Sequence, residues 1–250
     1  MSFFLFDTLP ALRDGRRVHP IGPRLIVVGG EGEFIVSGFY QQTRFTGVFC
    51  ASVVMLASYP YFHDTATGAA LGGITALLLL GTGVYAVGAC RKTVIVAGAL
   101  ALFALCNSIY SLLVQSRGSI WTEASFTAFY IFITIAIFSE VIRSRGFQRD
   151  SILGIVSVYL LIGITFGSLY DLVETIEPGS FRLNFYGTDD AVGFRRLLFF
   201  SFMTLTSIGY GDITPATDQA QSLAILEGVA GVLYVACLVA RVVNAYRNLD

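Results

Sequence analysis

Six stretches almost free of charge restrict what this chain can fold into more than any other feature. They are residues 45–62, 69–89, 93–114, 122–142, 151–173 and 222–243. Wound as helices at about 1.5 Å per residue, each reaches roughly across the ~30 Å hydrocarbon core of a bilayer. Lipid offers no partner to backbone N–H and C=O groups, so such stretches must satisfy them internally. Composition agrees. Apolar residues make up 55% of the chain, charged residues only 13%, and mean hydropathy is +0.71. A soluble domain carries about 25% charge. The expected fold is an all-α integral membrane protein with six transmembrane helices. Net charge is −1, so nothing points to nucleic acid as a partner.

Placement of Lys and Arg orients the helices. With the N-terminus inside, only Arg117, Arg182, Arg195 and Arg196 fall outside, of 16 Lys and Arg in all. The positive-inside rule then predicts a multi-pass protein of the cell membrane with both termini cytoplasmic. The expected segments are a cytoplasmic N-terminal stretch 1–44, a four-helix membrane domain 45–143, a cytoplasmic linker 144–150, a unit 151–243 and a short cytoplasmic tail 244–250. Residues 3–12 are apolar without a preceding basic region, which reads as an interfacial helix rather than a signal peptide. Residues 23–33 read as a short strand and a Gly-rich turn, with no function assigned. Tyr59, Tyr61, Phe62, Trp121 and Tyr170 suit an aromatic belt at the outer interface.

Between the fifth and sixth stretches lies Thr204-Leu205-Thr206-Ser207-Ile208-Gly209-Tyr210-Gly211-Asp212. Its glycines reach positive φ at little cost, so a run of this kind turns successive carbonyls toward one axis. The pattern T-x-T-x-x-G-Y-G-D resembles the selectivity filter of potassium channels, and the resemblance covers about residues 151–243. It implies a re-entrant pore helix and filter loop, a homotetramer in the lipid bilayer, and rings of carbonyls that replace the hydration shell of K⁺. The filter would be Thr206, Ser207, Ile208, Gly209, Tyr210 and Gly211. K⁺ would sit on the carbonyls of Ser207, Ile208, Gly209 and Tyr210, with the Ser207 hydroxyl innermost. Thr204, Asp212 and Glu227 would support the filter, and Gly231 stands where the family has a gating hinge. The chain departs from the family in having Ser207 where most members have Thr. Phe199 and Phe200 stand where many have Trp, and Met203 stands where some have an acid.

The resemblance implies passive, selective K⁺ conduction. Residues 151–173 would be the outer helix, 194–205 the pore helix with the negative end of its dipole toward the cation, and 222–243 the inner helix. Glu174, Glu177, Asp189 and Asp190 form an acidic surplus in 174–193, either concentrating cations or simply solvating a loop. Glu227 is an acid inside the membrane, either an anchor bonded to pore-helix or filter backbone or a gating group. Gly228 and Gly231 read equally as packing residues or hinge.

The first four helices occupy the position of a voltage sensor. Residues 122–142 hold only Glu123 and Glu140, without the arginine repeat, so steep voltage gating is not expected. Arg143, Arg145 and Arg149 follow as anchors. Gly72, Gly73, Gly81, Gly83 and Gly88 predict close helix packing. Cys50, Cys90, Cys106 and Cys237 read as packing residues, and His19 and His63 are isolated. No catalytic cluster marks an enzyme, and no cofactor is implied beyond permeant K⁺. Two alternatives stay open: relaxed monovalent-cation selectivity, and a non-conducting multi-pass sensor or transporter.

Overall fold

The structure is a computed structural model and describes residues 31–58, 66–87, 91–114, 120–143, 149–184 and 192–247. Expectations for residues 3–12, His19, Tyr59, Tyr61, Phe62, His63, Gly88, Cys90, Arg145, Asp189 and Asp190 lie outside these. The chain divides into two units, Met1–Phe39 and Tyr40–Asp250. All packing below belongs to the second.

The described elements are α1 (Glu31–Ser58), α2 (Ala66–Ala86), α3 (Arg91–Val114), α4 (Ile120–Arg143), α5 (Arg149–Ile176), β1 (Phe181–Leu183), α6 (Phe194–Leu205), β2 (Ile213–Pro215) and α7 (Asp218–Arg247). Among the described residues four stretches are long and apolar enough to cross a membrane: Lys92–Tyr110, Ile120–Ile142, Ile152–Ile176 and Asp218–Ala240. The first two expected spans appear as shorter apolar runs, Phe45–Ser58 and Gly72–Ala86. One expectation is corrected at the N-terminal side. Helix α1 starts at Glu31, where a turn and an irregular stretch were expected. No proline follows Pro23 until Pro60, so nothing in the sequence stops a helix there.

Helices α4 and α5 form the centre of the core. Phe129, Ile133 and Ile137 recur every four residues on one face of α4, and Val158, Leu161 and Ile164 answer them on α5; all are fully buried. Two hydroxyl pairs cross the same interface, Thr127 with Ser168 at 2.7 Å and Thr134 with Thr165 at 2.9 Å. Interhelical bonds of this kind contribute about 0.6 kcal/mol each in lipid. On α2, Gly83 packs against Phe129 and Ile133, whereas Gly73 and Gly81 face open space. The small-residue expectation thus holds at one glycine of these three.

A second cluster lies where α5, α6 and β1 meet. The rings of Tyr170 on α5, Phe181 on β1 and Phe200 on α6 meet edge to face, with centroids 5.2 to 5.5 Å apart. Edge-to-face pairing matches the ring quadrupoles. Tyr170 is fully buried here, which corrects its assignment to the interfacial belt. Trp121 is 72% exposed.

Candidate functional site

Helix α6 covers the range expected for a pore helix, and its end shapes everything after it. The last turn leaves carbonyls without intrahelical partners. The next residues supply the donors: Thr206 N–H bonds Phe202 O at 3.1 Å, Ser207 N–H bonds Thr204 O at 3.0 Å, and Ile208 and Gly209 N–H both bond Met203 O at 2.9 and 3.2 Å. The Thr206 hydroxyl adds a bond to Phe202 O at 2.6 Å. The Thr206 side chain makes the kind of local bond expected of the motif threonines, whereas at Thr204 the bond shown is made by the backbone carbonyl.

A trans peptide sets each C=O opposite the N–H of the next residue, so with the N–H groups of 206–209 turned back on the helix the carbonyls of Leu205 to Ile208 point the other way. The backbone then alternates in hand. Thr206 has φ −86°, Ser207 +59°, Gly209 +57° and Gly211 +75°. Among described non-glycine residues only Ser207 has positive φ. Alternation of left- and right-handed residues flips each peptide plane relative to the last and brings successive carbonyls to one side of the strand. Residues 206–211 are all exposed in the single chain.

The positive φ also gives a physical reason for serine at 207. Left-handed backbone is least tolerated by β-branched side chains, so serine keeps the hydroxyl of threonine without that strain.

The C-terminal end of this stretch is held by the two-stranded pair. β1 and β2 run antiparallel with Phe181 opposite Pro215, Arg182 opposite Thr214 and Leu183 opposite Ile213. Asn184 follows β1. Its N–H bonds Asp212 O at 2.8 Å and its side-chain amide bonds Gly211 O at 2.7 Å. Ala216 N–H bonds Ser180 O at 2.7 Å. The Glu174 carboxylate accepts from Gly179 N–H at 2.8 Å and Phe181 N–H at 3.0 Å, fixing the entry to β1. Of the acids read as a cation-concentrating surplus, this one has a defined bonding role in the turn. The Tyr210 ring stacks on Phe199 at 6.3 Å with 7° between planes.

Two helices, α5 and α7, brace α6 from behind. Glu227 on α7 is fully buried. Its Oε2 accepts from the Tyr170 hydroxyl of α5, and its Oε1 bonds the Ser201 hydroxyl of α6. The expectation of bonding to backbone is corrected: both partners are side chains, placed there by the close approach of α5, α6 and α7. That approach depends on small residues. A Cβ on Gly163 would lie 2.6 Å from the Phe202 ring, and one on Gly231 would lie 2.4 Å from the Leu205 carbonyl oxygen. Gly231 is therefore a point of backbone contact with the C-terminal end of α6, while a Cβ on Gly228 would have nothing within 4 Å.

Sequence reasoning missed Asn184, Ser201, Tyr170 as a buried partner, and the strand pair. The alternation in Phe181-Arg182-Leu183 against Ile213-Thr214-Pro215 was the available signal, but three residues are too short to stand out from a turn-rich loop.

Residues 154–248 match the family model described as "Ion channel". The chain is also similar to Two-pore potassium channel 4 of Arabidopsis thaliana, 33% identical over 103 residues, which cover 41% of this chain and 34% of that protein. It therefore spans about a third of the length of the curated relative it matches. No solved structure matches. The family match and the apolar helices support a helical, multi-pass membrane protein with an ion channel domain.

Proposed function

We propose that this chain is one subunit of a potassium-selective channel, in which four copies surround one axis and each contributes Ser207, Ile208, Gly209 and Tyr210 to stacked carbonyl rings. The observation that carries the reading is the alternating backbone of residues 206–211, pinned by α6 at one end and Asn184 at the other. A single strand presents carbonyls on one side only, so a cation needs further strands to complete its shell. Cyclic symmetry supplies them. The apolar face of α7 is consistent with this. Ile225, Leu226, Val229 and Val232 are exposed, and only 11% of that span is buried within the subunit, against 56% for α5. The name of the Arabidopsis relative supports potassium as the ion.

In this reading K⁺ enters from the outer face past Gly211 and Asp212 and leaves below the Ser207 hydroxyl. Glu227 supports the filter through the pore helix, and both termini lie in the cytoplasm of a cell whose plasma membrane holds the channel. Gly231 acts as a close-packing point and, if α7 bends, as its pivot. The four-helix block lacks an arginine ladder, and each charge moved across 100 mV contributes only about 2.3 kcal/mol, so opening is not steeply voltage-dependent.

The test is K⁺ flux from purified protein in liposomes, with Gly209→Ala as the comparison. Alanine at the φ of +57° costs about 1–2 kcal/mol in each of the four strands. Flux that is present in the wild type and lost in the variant supports the pore. Equal flux in both would sink it.

A further inference from the structure

Glu227 and Ser201 together favour one place for a proton. The Ser201 oxygen has two close partners that accept hydrogen bonds: the Gly163 carbonyl of α5 at 2.7 Å and Glu227 Oε1. A serine hydroxyl has one hydrogen, a backbone carbonyl has none, and an ionised carboxylate is acceptor-only. Were Glu227 ionised, the single hydroxyl hydrogen would have to be shared between two acceptors, which weakens both contacts. The Tyr170 hydroxyl does not repair this, because its hydrogen goes to Glu227 Oε2. A second proton has one source within the cluster, the carboxyl itself.

With the proton on Oε1 every group is matched. Tyr170 donates to Oε2, Glu227 donates to the Ser201 oxygen, and Ser201 donates to Gly163 O. The setting favours this arrangement. Glu227 is fully buried, as is Ser201, and an ion in a dry site is far costlier than a neutral acid. Among the described residues, the titratable groups on which the Glu227 carboxyl acts are Tyr159 and Tyr170, both of α5.

We propose that Glu227 is held as a neutral carboxylic acid, the middle of a directed chain from Tyr170 through Ser201 to the Gly163 carbonyl, and that this proton positions the pore helix. Removing it reverses the Ser201 link. The carboxylate draws the serine hydrogen to itself, and the hydroxyl releases Gly163 O. The pore helix then loses its hydroxyl tie to α5 while keeping its tie to α7. Glu227 is a positioning residue in this account, acting on residues 206–211 only through α6. Its effect on conduction rests on the filter reading above; its protonation does not.

The experiment is infrared absorption of the full-length protein in lipid bilayers, in H₂O and D₂O, as pH is raised from neutral. The expected result is a protonated-carboxyl band that shifts in D₂O, disappears in Glu227→Gln, and moves to higher frequency in Ser201→Ala because the acid has lost its acceptor. Glutamine offers an N–H to Ser201 and an oxygen to Tyr170, so flux through Glu227→Gln should not change as pH is raised, whereas wild-type flux should. If no acid band differs between the wild type and either variant at neutral pH, Glu227 is ionised and the proposal fails. Should Glu227→Gln not assemble, the band shift in Ser201→Ala decides alone. A protein that shows the band but never conducts would overturn the filter reading and leave the proton assignment standing.

Discussion

Replacing Gly231 with alanine separates a packing role from a hinge role. The new Cβ would lie 2.4 Å from the Leu205 carbonyl oxygen and 3.0 Å from Leu205 Cδ1. Non-bonded heavy atoms rest at about 3.5 Å or more, so the oxygen must withdraw by roughly 1 Å, or α7 must. The first option moves the end of α6, two residues before Ser207. Overpacking a tight site costs about 1–3 kcal/mol. Alanine's better helix propensity returns about 1 kcal/mol of that. The net expected loss is up to about 2 kcal/mol per chain, equivalent to a Tm up to about 8 °C lower. Gly228, one turn earlier, has nothing within 4 Å, so Gly228→Ala should leave Tm unchanged or raise it. Thermal unfolding of the two variants in one detergent checks the pair, with K⁺ flux measured on the same preparations. A Gly231→Ala protein at least as stable as wild type, with only its opening altered, would refute the packing argument and favour the hinge.

Other outcomes follow from the same contacts. Asn184→Ala removes the side-chain bond to Gly211 O and should cost about 1 kcal/mol at the outer end of the filter. Flux should then decay faster when external K⁺ is low. Glu174→Ala strips the acceptor from two N–H groups of the 179–181 turn, about 1–3 kcal/mol read as a lower Tm. Glu177→Ala, at an exposed neighbour, should leave Tm nearly unchanged; equal losses in conductance with equal Tm would mean that both acids act only through their charge. Gly163→Ala meets the far end of the Phe202 ring at 2.6 Å. A ring can swing where a backbone carbonyl cannot, so its Tm should fall less than that of Gly231→Ala.

Much of this was legible in the sequence for identifiable reasons. Long apolar stretches announce themselves because lipid removes every alternative to a helix, and the ends of α6 follow from Gly193 before it and the motif after it. The alternating φ values were half visible, since Gly209 and Gly211 advertise left-handed backbone whereas Ser207 does not. Tertiary bonds were not legible. Tyr170 and Glu227 stand far apart in sequence, and an aromatic near the end of a span reads equally as belt or as core. Only the packing of α5 against α6 and α7 makes it the partner of a buried acid. The start of α1 was missed because Gly29-Gly30-Glu31-Gly32 carries turn residues, and a helix can begin within such a stretch as readily as a turn can close there.

The most direct measurement of the central claim is the reversal potential of the purified protein in a planar bilayer, with K⁺ on one side and Na⁺ on the other. Four strands of intact carbonyl rings predict a potential close to that of a membrane permeable to K⁺ alone, abolished with the current in Gly209→Ala. A reversal potential near zero, with current carried equally by both ions, would contradict a filter built from Ser207, Ile208, Gly209 and Tyr210.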